Sequence, residues 1–319
     1  MSDAYAAFIC LLVAFAGISG LEIYVGILHT IIAAGGLFIS SSIKPVLVSL
    51  LTFVMQLSVK NSFFYPSYSD YLYTGWRIYA LIGISVLIIL AFTVFIVKNQ
   101  VYKRILEKNN PPLVYFAPLF LSLIMNGAFS GEWVAGDFVL GIINGFVLCI
   151  LPLIIYHGLY EEDSDGIAGY FSYLCVLVGL VILSELIALF ITNKDIFAGG
   201  TINKTEVALG FGIWNLIGNS LVVLIPIIFY GIQKNRHPVL YFLVASAVYI
   251  GAVFTMSRNA LLVGSVMYIS CIVISAFLGK YRRRFRILSF LGLLLALFVF
   301  IIFFDEILKI VIFSLTGRS

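Results

Sequence analysis

Apolar runs separated by short polar breaks organise this chain from end to end. They lie near residues 5–19, 22–40, 45–59, 77–97, 112–128, 136–156, 168–192, 206–232, 238–257, 259–279 and 287–304. Most approach or exceed the roughly twenty residues that an α-helix needs to cross a hydrocarbon layer of about 30 Å. The first and third are short enough to enter only partway. The pattern predicts an all-α, polytopic integral membrane protein of about eleven transmembrane helices.

The stretch from Pro238 to Gly279 sets the orientation. Its only charge is Arg258, at the midpoint, and basic clusters bracket it: Lys234 and Arg236 before, then Lys280, Arg282, Arg283, Arg284 and Arg286. One straight helix of that length would run roughly 60 Å, twice the hydrocarbon thickness, so the chain must turn back near Arg258. Both basic ends then share one side, which the positive-inside rule makes cytoplasmic, and Arg258 lies at the outer face. Counting outward gives an inside N-terminus and an outside C-terminus. Twelve of the nineteen Lys and Arg residues fall on the inner side, against seven outside. The acidic inner loop Glu161, Glu162, Asp163 and Asp165 runs against this bias, but acids weigh little in topology. As a calcium loop it has Ser172 where position 12 needs glutamate. As a DxD nucleotide-sugar motif it has no soluble domain around it. It reads as a solvated turn.

Composition agrees with the hydropathy pattern. The chain is 62% hydrophobic and 11% charged, with mean hydropathy +1.12, whereas soluble domains carry about 25% charged residues. The net charge of +4 sits in short loops and gives no reason to expect nucleic acid. Cys10, Cys149, Cys175 and Cys271 fall in apolar runs without ligand spacing, so no metal or cofactor is expected. The N-terminus lacks a basic n-region, and no cleavable signal peptide is expected. The outer loop at 60–77 carries Phe63, Phe64, Tyr65, Tyr68, Tyr71, Tyr73 and Trp76. A headgroup-level aromatic belt explains it, with sugar stacking as the functional alternative.

Candidate chemistry centres on Arg258. The span that follows begins at the outer face, so its N-terminus offers unpaired N–H groups and the positive end of a helix dipole. Ser257 can act as N-cap and Asn259 adds a donor. A guanidinium beside a helix N-terminus suits phosphate. The alternative is an arginine snorkelling to headgroups or paired with an acid. Polar residues within spans are His29, Gln56, Asn144, Glu185, Asn215 and Asn219. Such residues are costly in lipid and usually face the bundle interior. Glu185 could reach Arg258 and lower the cost of both charges, or serve as a proton-coupling acid in a transporter.

From Gly210 the chain reads GFGIWNLIGNSLVVLIPIIFYGI, and TMSRNALL stands at the next outer turn. Gly212, Asn215 and Asn219 would form one helical stripe, suited to helix packing. The order W-N-x-x-G-N, proline, short basic loop, Ser-Arg-x-Ala-Leu-Leu resembles the O-antigen ligase and polymerase family, which includes capsule and teichuronic-acid polymerases. The resemblance covers 206–319, a ligase-like transmembrane core, while 1–205 form an N-terminal transmembrane bundle that matches only in hydropathy. It implies metal-independent glycosyl transfer at the outer face of the cell membrane, from an oligosaccharide on undecaprenyl diphosphate. Arg258 matches the family's first diphosphate-binding arginine, and Arg318, in SLTGRS, its second. Ser257 and Asn259 would assist, with Asn215, Asn219 and Glu185 supporting. The family's outer-loop histidine has no counterpart here: His29 lies within a span, and His157 and His237 at the inner face. No general base is assigned, and the core is expected to be incomplete at its C-terminus. The other readings are a secondary transporter or flippase, for which no internal repeat is seen, and a truncated, non-catalytic membrane protein that only binds the lipid diphosphate.

Overall fold

The computed structural model describes residues 3–19, 21–57, 75–105, 164–194, 196, 206–209, 212–234, 237–278 and 282–305. The predicted spans near 112–128 and 136–156, most of the aromatic loop and Arg318 lie outside them. The described elements are α1 (Asp3–Ser19), α2 (Glu22–Ile39), α3 (Lys44–Leu57), α4 (Trp76–Lys98), α5 (Val101–Ile105), α6 (Ser164–Thr192), a ladder of β1 (Ala208–Leu209) with β2 (Gly212–Ile213), α7 (Trp214–Lys234), α8 (Pro238–Phe254), α9 (Arg258–Leu278) and α10 (Arg282–Ile302). Apart from that two-residue ladder the described architecture is all-α, as expected.

Among the described residues, four helices are long and apolar enough to cross a membrane: Gly166–Thr192, Trp214–Ile232, Arg258–Phe277 and Phe285–Ile302. Shorter apolar helices cover Asp3–Ser19, Tyr24–Ile39, Ile82–Lys98 and Pro238–Phe254. The outward positions of α10 include Phe290, Leu294, Leu297, Phe298 and Ile301, all exposed. A helix that is apolar on its outer as well as its inner face requires an apolar solvent. The chain is a membrane protein.

By backbone contacts the chain divides into two units, one formed by Thr30–Leu47 and Ile84–Ile167 together with Met1, the other by Ser2–His29, Val48–Gly83 and Ala168–Ser319. In the first, Lys98 Nζ donates to the carbonyls of Ile39 at 2.9 Å and Phe38 at 3.2 Å. A cation there satisfies acceptors that the end of α2 leaves without helical donors.

The second unit holds the core, drawn from α1, α6, α7, α8, α9 and α10. Its ring contacts fix the helix directions. Phe254, at the end of α8, meets Phe190 near the end of α6 at 6.0 Å and Phe303 just beyond α10 at 6.3 Å. At the opposite end Phe229 of α7, Phe242 near the start of α8 and Phe285 at the start of α10 pack edge to face at 5.6–6.4 Å. There too Ser172 Oγ donates to the Ile227 carbonyl at 2.8 Å. Consecutive helices from α7 to α10 therefore alternate in direction. In α2 and α3 a buried pair joins His29 and Thr52. Thr52 Oγ1 donates to the Val48 carbonyl at 2.7 Å, so it accepts from His29 Nε2–H at 3.0 Å.

One predicted span is shorter than the hydropathy suggests. The apolar run beginning at 206 becomes helical only at Trp214, because Ala208–Leu209 pair antiparallel with Gly212–Ile213. Gly212 is therefore a strand residue and does not share a helical stripe with Asn215 and Asn219.

Candidate functional site

The turn between α8 and α9 is built from Thr255, Met256 and Ser257. The chain leaves α8 through Met256 at φ 54°, in the left-handed region that glycine usually fills. The Met256 N–H bonds to the Val253 carbonyl at 2.9 Å, and the Thr255 N–H to that of Ala252 at 3.3 Å. Thr255 is buried, and its hydroxyl donates to the Ala252 carbonyl at 2.6 Å. These bonds satisfy late carbonyls of α8 without a glycine and let the chain reverse within three residues.

A paired aromatic clasp holds the two helices behind this turn. Tyr249 of α8 stacks on Tyr268 of α9, with ring centroids 4.4 Å apart and planes 7° from parallel. Each hydroxyl reaches a serine on the other helix: Tyr268 to Ser246 at 2.7 Å and Tyr249 to Ser265 at 2.9 Å. Both serines already donate to carbonyls of their own helices, so the tyrosines are the donors.

The turn sits on α7 at Gly218. A Cβ on Gly218 would lie 2.6 Å from Thr255 Oγ1, 2.9 Å from Ser257 Cβ and 3.0 Å from Ala260 Cβ. Only a glycine lets the α7 backbone come this close. Asn215 and Asn219 flank Gly218, and both are exposed. They do not face the bundle interior, as apolar surroundings led one to expect; Gly218 makes the helix contact and the amides border it. The W-N-x-x-G-N and Ser-Arg-Asn segments thus meet at one place, although some forty residues separate them.

Arg258 opens α9 and is exposed, as is Asn259. The first turn closes through the Leu261 N–H to the Ser257 carbonyl at 2.9 Å. Ser257 occupies the N-cap position, is 1% exposed, and its Oγ has no hydrogen-bond partner among the described residues. The side-chain capping bond expected of it is not made. Glu185 is 7% exposed on α6, its carboxylate against Gly17 of α1. Gly17 has no side chain to exclude that carboxylate. Gly17 was not distinguishable in sequence from the other glycines, and Gly218, the glycine of W-N-x-x-G-N, was not marked as the contact. Among the described residues no cluster of His, Cys, Asp and Glu could hold a metal ion.

The arrangement is a helix N-terminus that carries the Arg258 guanidinium and the Asn259 amide, with the buried Ser257 hydroxyl at its cap and two further amides on α7. Hydrogen-bond donors and the positive end of a helix dipole are the kind of groups that suit an anion. No family model, curated protein or solved structure matches this chain.

Proposed function

We propose that this chain works in surface-polysaccharide biosynthesis as a polymerase or ligase of the O-antigen ligase kind, transferring oligosaccharide from undecaprenyl diphosphate at the outer face of the cell membrane. The observation that carries this reading is the seating of Thr255, Ser257 and Ala260 against Gly218, which brings the Arg258 end of α9 to the α7 segment that bears Asn215 and Asn219. In this reading the polar groups there bind phosphate. An acceptor hydroxyl would attack the anomeric carbon as the lipid diphosphate leaves, and Arg258, with Arg318, would neutralise the charge that grows on the leaving group. The alternating directions of α7 to α10 fit the last four spans of the proposed eleven-span topology, with N-terminus inside and C-terminus outside, as they would fit its inverse. The joining of Lys98 to the end of α2 fits it as well, since both fall on the inner side in that topology.

The buried Glu185 favours the second reading, a secondary transporter or flippase, because an acid within a span is the usual seat of proton coupling. One experiment separates the two. Arg258→Lys and Glu185→Gln are placed in the source strain and polymer length is read on gels at matched membrane levels of protein. The clamp reading expects at least a tenfold loss of polymer in Arg258→Lys, because an ammonium cannot reproduce bidentate phosphate contact. Full polymer from Arg258→Lys, with loss only in Glu185→Gln, would overturn it in favour of the transporter.

A further inference from the structure

We infer that the outward face of α10 binds an anionic glycerophospholipid, with the phosphate headgroup at the arginine-rich end around Arg286 and the acyl chains along the apolar stripe that follows. The inference does not depend on the Arg258 turn or on the proposed polysaccharide chemistry. It begins with charge. Arg282, Arg283, Arg284 and Arg286 fall within the first five residues of the helix, with no acid in its first turn. Cations are unfavourable at this positive end of a helix dipole, and Arg282 and Arg286 are a like-charged i, i+4 pair. Lys234 closes α7 at the same end of the bundle, where Phe229 of α7 and Phe285 of α10 meet at 6.4 Å. The positive-inside rule accounts for basic residues in a loop. It does not account for four of them inside a helix and against its dipole. An anion supplied from outside the chain stabilises such a cluster.

Packing keeps this end of α10 in place. Phe285 is 2% exposed and packs edge to face on Phe229 and Phe242, so the repulsion is not relieved by unwinding the helix. Arg286, the next residue, is exposed, and among the described residues it has no hydrogen-bond or ion-pair partner. The face it heads turns out of the bundle. Only 28% of the Phe285–Ile302 span is buried, the smallest share among the four long apolar helices. Ile287, Phe290, Leu294, Leu297 and Ile301, three and four residues apart, form one exposed stripe. The same spacing places position 283 at its head. From Ile287 to Leu297 the stripe runs about 15 Å, half of a hydrocarbon layer of about 30 Å and so the depth of one leaflet. A positive head above a leaflet-deep apolar stripe matches an anionic phospholipid in both charge and length. A zwitterionic lipid brings its own cation to the arginines, and a soluble phosphate leaves the stripe unused.

The test uses the full chain in nanodiscs of phosphatidylcholine and of phosphatidylcholine mixed with phosphatidylglycerol. It reads Tm and, by native mass spectrometry, the lipids that leave the disc with the protein. Wild type should melt several degrees higher in the mixed discs and retain phosphatidylglycerol over phosphatidylcholine. The double variant Arg283→Gln/Arg286→Gln should lose that rise and cut the preference for phosphatidylglycerol about tenfold. In pure phosphatidylcholine it should melt no lower than wild type, because like charges have been removed. Lys103→Gln, at an exposed lysine of α5, should keep the full rise. An undiminished rise in the double variant would overturn the inference, as would an equal loss in Lys103→Gln, since general surface charge would then suffice. Retention of the two lipids by wild type in proportion to their supply would overturn it without recourse to any variant. Glycerol phosphate added to phosphatidylcholine discs should leave Tm nearly unchanged; a rise equal to that given by the lipid would leave the stripe without a role and overturn the inference.

Discussion

Gly218 is the position on which the candidate site depends most directly. Thr255, Ser257 and Ala260 all crowd the space where its Cβ would be, and none of the three is the far end of a flexible side chain. Gly218→Ala must therefore push the turn away from α7. Overpacking of this kind costs about 1–3 kcal/mol, and thermal unfolding in detergent should show the loss. Binding at the turn should fall with it, because the first turn of α9 would move away from the α7 segment that carries Asn215 and Asn219. A wild-type Tm in the Gly218→Ala protein would mean that the contact is loose. Sequence reading found Arg258, Asn259 and the two asparagines because charge and amides are conspicuous in an apolar chain. It could not assign Gly218, the glycine of W-N-x-x-G-N, to this contact, since glycine in a membrane helix carries no mark that separates a contact from a gap. Nor could it foresee that Ser257 would forgo its capping bond, which depends on a rotamer set by packing.

The α8–α9 hairpin is the element that carries the turn, and its stiffness comes from the Tyr249–Tyr268 stack. The two hydroxyls are additions to that stack. Ser246 and Ser265 keep bonds to the Phe242 and Leu261 carbonyls when a tyrosine oxygen is removed, so no buried group is orphaned. Tyr268→Phe should cost only about 0.5–1.5 kcal/mol. Tyr268→Ala, which empties the space beside Phe229 and Tyr249, should cost about 3–5 kcal/mol. Chemical denaturation in mixed micelles can separate the two, and equal losses would mean that the hydroxyl, not the ring, holds the hairpin. The hairpin itself was legible, because a lone arginine midway through an apolar stretch too long for one crossing leaves the chain no choice but to turn. The start of α7 was not. Hydropathy sees an unbroken apolar run from Val207 to Trp214, and nothing in side-chain polarity reports the backbone pairing of Ala208–Leu209 with Gly212–Ile213.

For the molecule as a whole, the proposed function requires a particular sidedness. On that proposal Arg258 must lie at the outer face, with the Arg282–Arg286 end of α10 on the other side. Helix directions within the second unit follow from the ring contacts at its two ends. Which end faces outward rests on the distribution of Lys and Arg. Thiol labelling decides it. In a background with the four native cysteines replaced, Asn259→Cys and His237→Cys, both at exposed positions, are each treated in intact cells with a membrane-impermeant maleimide. The outer-face account predicts rapid labelling at 259 and labelling at 237 only after permeabilisation. Labelling at 237 in intact cells with protection at 259 would place Arg258 on the cytoplasmic side and contradict the proposed function outright.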